Sequence, residues 1–119
     1  MRTILVVDDD SSMRFLLKML FESAGYQVVE AHHGAAALER VNENRPDLVV
    51  TDLMMPVMDG AQLIARLRSH PKTRSIPILA TSARLGSGAE VADAVLRKPF
   101  DPDDFLETAC TLAEGGKLK

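Results

Sequence analysis

The chain has 119 residues and a mass of 13.0 kDa, the size of one compact domain that can build a core without a disulfide or metal staple. Apolar residues make up 46% and charged residues 26%, proportions that exclude a disordered chain. Fourteen basic against seventeen acidic side chains give net −3 with no Lys/Arg stripe, which argues against nucleic acid as a partner.

Ile4-Leu5-Val6-Val7 is a continuous aliphatic run, the pattern of a strand buried on both faces, and it stops at Asp8-Asp9-Asp10. Phe15, Leu16, Met19 and Leu20 recur at helical spacing and predict a helix over 11–24, stopped by Gly25. A shorter strand is predicted over 26–31. Next comes a helix over 35–44 with Leu38 and Val41 inward, closed by Pro46. The run 47–51 is again apolar, predicts a third strand, and ends at Asp52. After the loop LMMPVMDG the spacing predicts a helix over 61–69 with Leu63, Ile64 and Leu67 inward. A fourth strand is predicted over 76–80 and a short fifth over 94–97. Asp101-Pro102-Asp103-Asp104 supplies a cap, a first-turn proline and carboxylates for a last helix running to about 114.

No apolar run approaches the ~20 residues that span a bilayer, and MRTILVVDDD lacks a signal-peptide pattern. The single Cys110 cannot form an internal disulfide and fits a reducing compartment. The expectation is a cytoplasmic domain over residues 1–119, with no membrane or nucleic-acid partner.

Strands alternating with helices predict an α/β fold, a doubly wound parallel sheet whose ligands bind outside the carboxyl ends of the strands. The residues placed there are Asp8 and Asp9, Asp52, Thr81 and Ser82, and Lys98. Carboxylates gathered at one edge repel one another unless a cation sits among them. A small hard cation that prefers oxygen ligands, Mg²⁺ or Mn²⁺, suits them. With the Ser82 hydroxyl and the Lys98 ammonium the set suits a phosphoryl group, and Asp52, on the central strand, is the best-placed nucleophile.

The motifs VVDDDSSMR, DLMMPVMDG, ATSA and KPF, in this order on this strand pattern, resemble a bacterial response-regulator receiver domain, chemotaxis-receiver-like and single-domain. The resemblance covers essentially the whole chain. It implies five strands in the flavodoxin-like order 2-1-3-4-5. It also implies Mg²⁺ held by Asp8, Asp9, Asp52 and the backbone carbonyl of Met54, and a phosphoryl group accepted by Asp52. Ser82 and Lys98 would each bind a phosphoryl oxygen, and the Lys98-Pro99 peptide would be cis. The implied donor is a histidine kinase or a histidine phosphotransfer protein, and the implied output is phosphorylation-dependent contact with an unknown downstream protein. Such a domain is no enzyme beyond its own phosphorylation and dephosphorylation.

Two features depart from the family. Val95 stands where the family usually places an aromatic residue that turns inward on phosphorylation. The sixteen residues from Ser82 to Lys98 are also fewer than usual, so the fourth helix is expected to be shortened to a turn or two around 89–93 or missing, as in a receiver subgroup. Gly86-Ser87-Gly88 then suggests a loop that orders on phosphorylation.

The competing functional reading is a degenerate receiver used as a phosphorylation-independent interaction module. An Asp-nucleophile phosphohydrolase fits less well: the acid such enzymes carry two residues after the nucleophile is replaced here by Met54. Among individual residues, Asp10 or Ser11 is expected to cap the first helix and Asp59-Gly60 to open the third. His32 and His33 are expected in solvent, and Met54, Met55, Met58 and Cys110 in packing roles.

Overall fold

A computed structural model describes residues 2–54, 59–83 and 92–115. Within them the chain runs β1 (Thr3–Val7), α1 (Ser11–Ser23), β2 (Gln27–Ala31), α2 (Gly34–Glu43), β3 (Leu48–Asp52), α3 (Gly60–Ser69), β4 (Ile78–Ser82), β5 (Ala94–Arg97) and α4 (Pro102–Ala113). The five strands form one sheet in the order β2-β1-β3-β4-β5, every neighbouring pair parallel. This is the expected doubly wound, flavodoxin-like fold, with four helices among the described residues. Residues 89–91 of the segment expected to carry a reduced fourth helix lie outside them, as does the Gly86-Ser87-Gly88 loop. Ala92 and Asp93, the described end of that segment, are not helical.

Side chains alternate across a strand, and the central strands are apolar on both sides because helices cover both faces. Leu5, Val7, Val49, Ile78 and Ala80 face α2 and α3, joining Val41, Leu63, Ile64 and Leu67. Ile4, Val6, Leu48, Val50 and Leu79 face α1 and α4, joining Leu17, Phe21, Phe105 and Ala109. Each of the larger buried side chains stabilises the fold by about 1.5–3 kcal/mol.

Three elements differ from the sequence reading. In α1 the inward residues are Leu17 and Phe21, with Met13 and Leu20 half-buried, whereas Phe15, Leu16 and Met19 are exposed. Outside the polar stripe of Arg14, Lys18 and Glu22 this helix carries more apolar residues than the sheet can cover, so periodicity alone does not single out Leu17 and Phe21; packing against β1, β2 and α4 does. β4 begins at Ile78, not Ile76. The Ile76 amide is spent on a turn, donating to Thr73 O at 3.1 Å, and Pro77 has no amide to give the ladder. Thr81 and Ser82 are thereby the last residues of the strand. Met54 is exposed, not packed, while Met55 and Met58 lie outside the described residues.

The caps follow their chemistry. Asp10 accepts from the Ser12 and Met13 amides, and Asp101 from those of Asp103 and Asp104. Gly25, at φ +93°, takes the left-handed turn after α1. His33, expected in solvent, is partly buried and caps α2, its Nδ1 accepting from Ala36 N at 3.0 Å; His32 is exposed. Cys110 is partly buried on α4.

Candidate functional site

The parallel register brings the carboxyl ends of β1, β3, β4 and β5 to one edge. Val7 pairs with Thr51, Asp52 with Thr81, and Ser82 with Arg97. Asp8 therefore leaves β1 beside the end of β3, and Lys98 leaves β5 beside the end of β4. The carboxylate oxygens of Asp8, Asp9 and Asp52 come within 4.8 Å of one another. Asp8 is only 2% exposed, Asp52 and Ser82 are buried, and Asp9 is exposed.

Lys98 reaches in from β5. Its Nζ donates to Asp8 Oδ2 at 3.1 Å and to Asp52 Oδ2 at 3.2 Å, so one ammonium bridges the two buried acids. The backbone holds that bridge: the Lys98 amide donates to Ser82 O at 2.7 Å, and the Lys98-Pro99 peptide is cis. The other carboxylate oxygens are also held. Asp8 Oδ1 accepts from the Asp10 amide at 2.9 Å, and Asp52 Oδ1 from the Met54 amide at 3.1 Å. Arg14, from α1, donates to the Asp8 carbonyl at 2.6 Å.

Burial pushes the Asp8 carboxyl above its ordinary range, and the neighbouring Asp52 adds to that. The Asp10 amide and Lys98 oppose the rise without cancelling it. At Lys98 burial works against the charge, but Asp8 and Asp52 outweigh it and hold the ammonium above the usual lysine value. Three carboxylates facing one ammonium leave an excess of negative charge, which a divalent cation with oxygen ligands would offset. The donor set fits such an ion.

Gly60 opens α3 directly against the end of β3. A side chain there would strike the Asp52 carbonyl oxygen and lie 2.7 Å from Leu53 Cα, so only glycine lets α3 start against the end of β3. The sequence reading saw Asp59-Gly60 as a helix start, and Asp59 does cap α3 with Gln62 in a reciprocal capping box. It missed the close approach behind Asp52. It gave no role to Arg14, the last residue of the motif VVDDDSSMR.

A five-stranded parallel sheet in this order, with an acid-lined carboxyl edge and a lysine opposite, is the architecture of a signalling receiver domain. The chain belongs to the response regulator receiver domain family, whose sequence pattern matches residues 4–109. It is 38% identical to response regulator MprA of Mycobacterium ulcerans over 98% of its own length and 52% of that protein. Among solved structures, chemotaxis protein CheY4 of Vibrio cholerae superposes with a TM-score of 0.87 at 30% identity, covering 94% of this chain and 98% of that one. The signal receiver domain of a histidine kinase from Syntrophus aciditrophicus gives 0.90 at 29% identity, covering 100% and 95%. The chain spans about half the length of the curated relatives it matches. No described helix is long and apolar enough to cross a membrane.

Proposed function

We propose that residues 1–119 act as a cytoplasmic phosphoacceptor receiver of a two-component relay, with Asp52 as the acceptor. The observation that carries the reading is the convergence of Asp8, Asp9 and Asp52 within 4.8 Å, with Lys98 bonded to both buried acids. Asp8, Asp9, Asp52 and the Met54 carbonyl would hold Mg²⁺ or Mn²⁺. When bound, that ion neutralises phosphoryl oxygens as charge builds on them.

In the transfer an Asp52 carboxylate oxygen attacks phosphorus in line, forming the O–P bond as the P–N bond of a kinase or phosphotransfer-protein phosphohistidine breaks. The leaving ring nitrogen keeps the bonding pair while the other ring nitrogen carries a proton, so the histidine departs as neutral imidazole, and the product is an aspartyl phosphate. Lys98 exchanges its bond to Asp52 for one to a phosphoryl oxygen, and the Ser82 hydroxyl donates to another. The exposed Phe15 and Met19, one helical turn apart near the start of α1, offer an apolar strip where the donor's helix can dock beside the site. Readout follows through contact with a downstream protein.

The test is intact mass after incubation with acetyl phosphate and Mg²⁺, beside Asp52→Asn. A gain of one phosphoryl group on the wild type alone is the expected result. No gain, together with no binding of beryllofluoride and Mg²⁺, overturns the reading in favour of a degenerate receiver that binds partners independently of phosphate. The half-exposed Val95, on β5 in place of the family's aromatic residue, is the feature that favours that alternative.

A further inference from the structure

The helices run back across the sheet against the strand direction, so α2 and α3 both end at the edge opposite Asp52. Between their C-terminal ends lies an open cleft of about 580 Å³. Its floor is aliphatic, formed by Leu38 and Val41 of α2 and Leu67 of α3, and its rim carries Arg45, Arg66 and Lys72. None of these three cations forms an ion pair with a described residue. Arg45 is steadied by neutral acceptors, donating to Ser75 Oγ at 3.0 Å and to Lys72 O at 3.4 Å. Glu43, at the end of α2, is engaged by Arg40 at 2.9 Å. A rim of cations without ion pairs among the described residues, on a molecule of net charge −3, is a local reversal of sign. The helix C-termini account for Arg66, in the last turn of α3. They do not call for Arg45 and Lys72 beyond the helix ends, nor for Leu38 left only partly covered above the buried Val41 and Leu67.

We propose that this cleft docks an acidic amphipathic peptide segment of a partner protein, an aliphatic side chain over the floor and flanking carboxylates on Arg45, Arg66 and Lys72. Charge complementarity and the apolar floor select that occupant. A compact polyanion would sit against the carbonyl ends of two helices, whose dipoles oppose it, whereas spaced carboxylates reach the rim cations without crowding those carbonyls. A single-stranded nucleic acid would find only His70 to stack on, because no Phe, Tyr or Trp lines the cleft. The site is separate from Asp52 and does not depend on its phosphorylation.

The experiment titrates the ¹⁵N-labelled full chain with a synthetic peptide of alternating Glu and Leu, following amide shifts. The expected result is shifts confined to residues 38–45 and 66–73, weakened by added salt. Binding is expected to fall at least tenfold in R66E/K72E and to a lesser degree in each single variant. Both positions are exposed, and thermal unfolding checks that the variants fold. The inference is overturned if no shifts fall on the cleft, if R66E/K72E binds as well as the wild type, or if an oligothymidylate displaces the peptide from the cleft.

Discussion

Lys98 is the fixed cation of the acidic edge, and its ionisation ties the site to stability. Its pKa is raised in the fold from the ordinary 10.5, so its contribution is fully present below 10.5 and is lost as pH rises through the higher folded value. Tyr26 acts in the same direction: burial and its hydrogen bond to Glu114, at 2.7 Å, push its hydroxyl up. The expected outcome is an unfolding free energy that falls above pH 10.0 through Tyr26 and above 10.5 through Lys98, measured by urea titration. Lys98→Met and Tyr26→Phe should each flatten part of that alkaline limb, and a limb unchanged in both would contradict the assignment. Lys98→Met should also destabilise at neutral pH, by about 1–3 kcal/mol after allowance for the partial exposure of the ammonium, because it leaves Asp8 and Asp52 facing each other without their bridge.

At the scale of elements, the β3–α3 junction is the most constrained. Asp59→Ala removes the capping box and should cost about 1 kcal/mol. Gly60→Ala should cost more, about 1–3 kcal/mol, because the added methyl meets the Asp52 and Leu53 backbone with no flexible neighbour to yield. Thermal unfolding orders the two variants, and equal losses would argue against the close approach. On α1, Phe15→Ala should leave stability within about 0.5 kcal/mol of wild type, since the ring is 63% exposed, while slowing phosphoryl transfer from a kinase more than from acetyl phosphate. The contrast between these helices shows what a sequence can convey. The strands, the caps at Asp10, Asp59 and Asp101 and the acids after β1 and β3 were legible because local chemistry decides them. The buried face of α1 was not, because its apolar arc is wider than the surface that covers it, and the start of β4 was displaced by a proline whose effect depends on its partner strand. The role of Gly60 is tertiary: it depends on where Asp52 O lies once β3 and α3 have met.

Over the whole molecule, the acidic edge gathers carboxylates from β1 and β3 that lie far apart along an unfolded chain. Without a divalent ion, Asp8 holds its proton more tightly in the fold than in the unfolded chain. The folded state then binds more protons between the ordinary value of 3.8 and the raised one, and the stability from this group is lost as pH rises through that window. A bound divalent ion favours the ionised form and is expected to depress the Asp8 pKa below the unfolded value. The sign then inverts: the contribution is present above the unfolded value and is lost as pH falls through the folded one. Mg²⁺ at one hundred times its dissociation constant should add about 2.7 kcal/mol at neutral pH. Asp8→Asn should abolish that gain while leaving the ion-free protein as stable as wild type or more so, since it removes a buried charge that keeps its hydrogen-bonding shape. Unfolding midpoints across the acid range, with Mg²⁺ and with chelator, test the inversion. Opposite slopes for the wild type and parallel slopes for Asp8→Asn are expected, whereas parallel slopes in the wild type would mean that the ion does not engage Asp8.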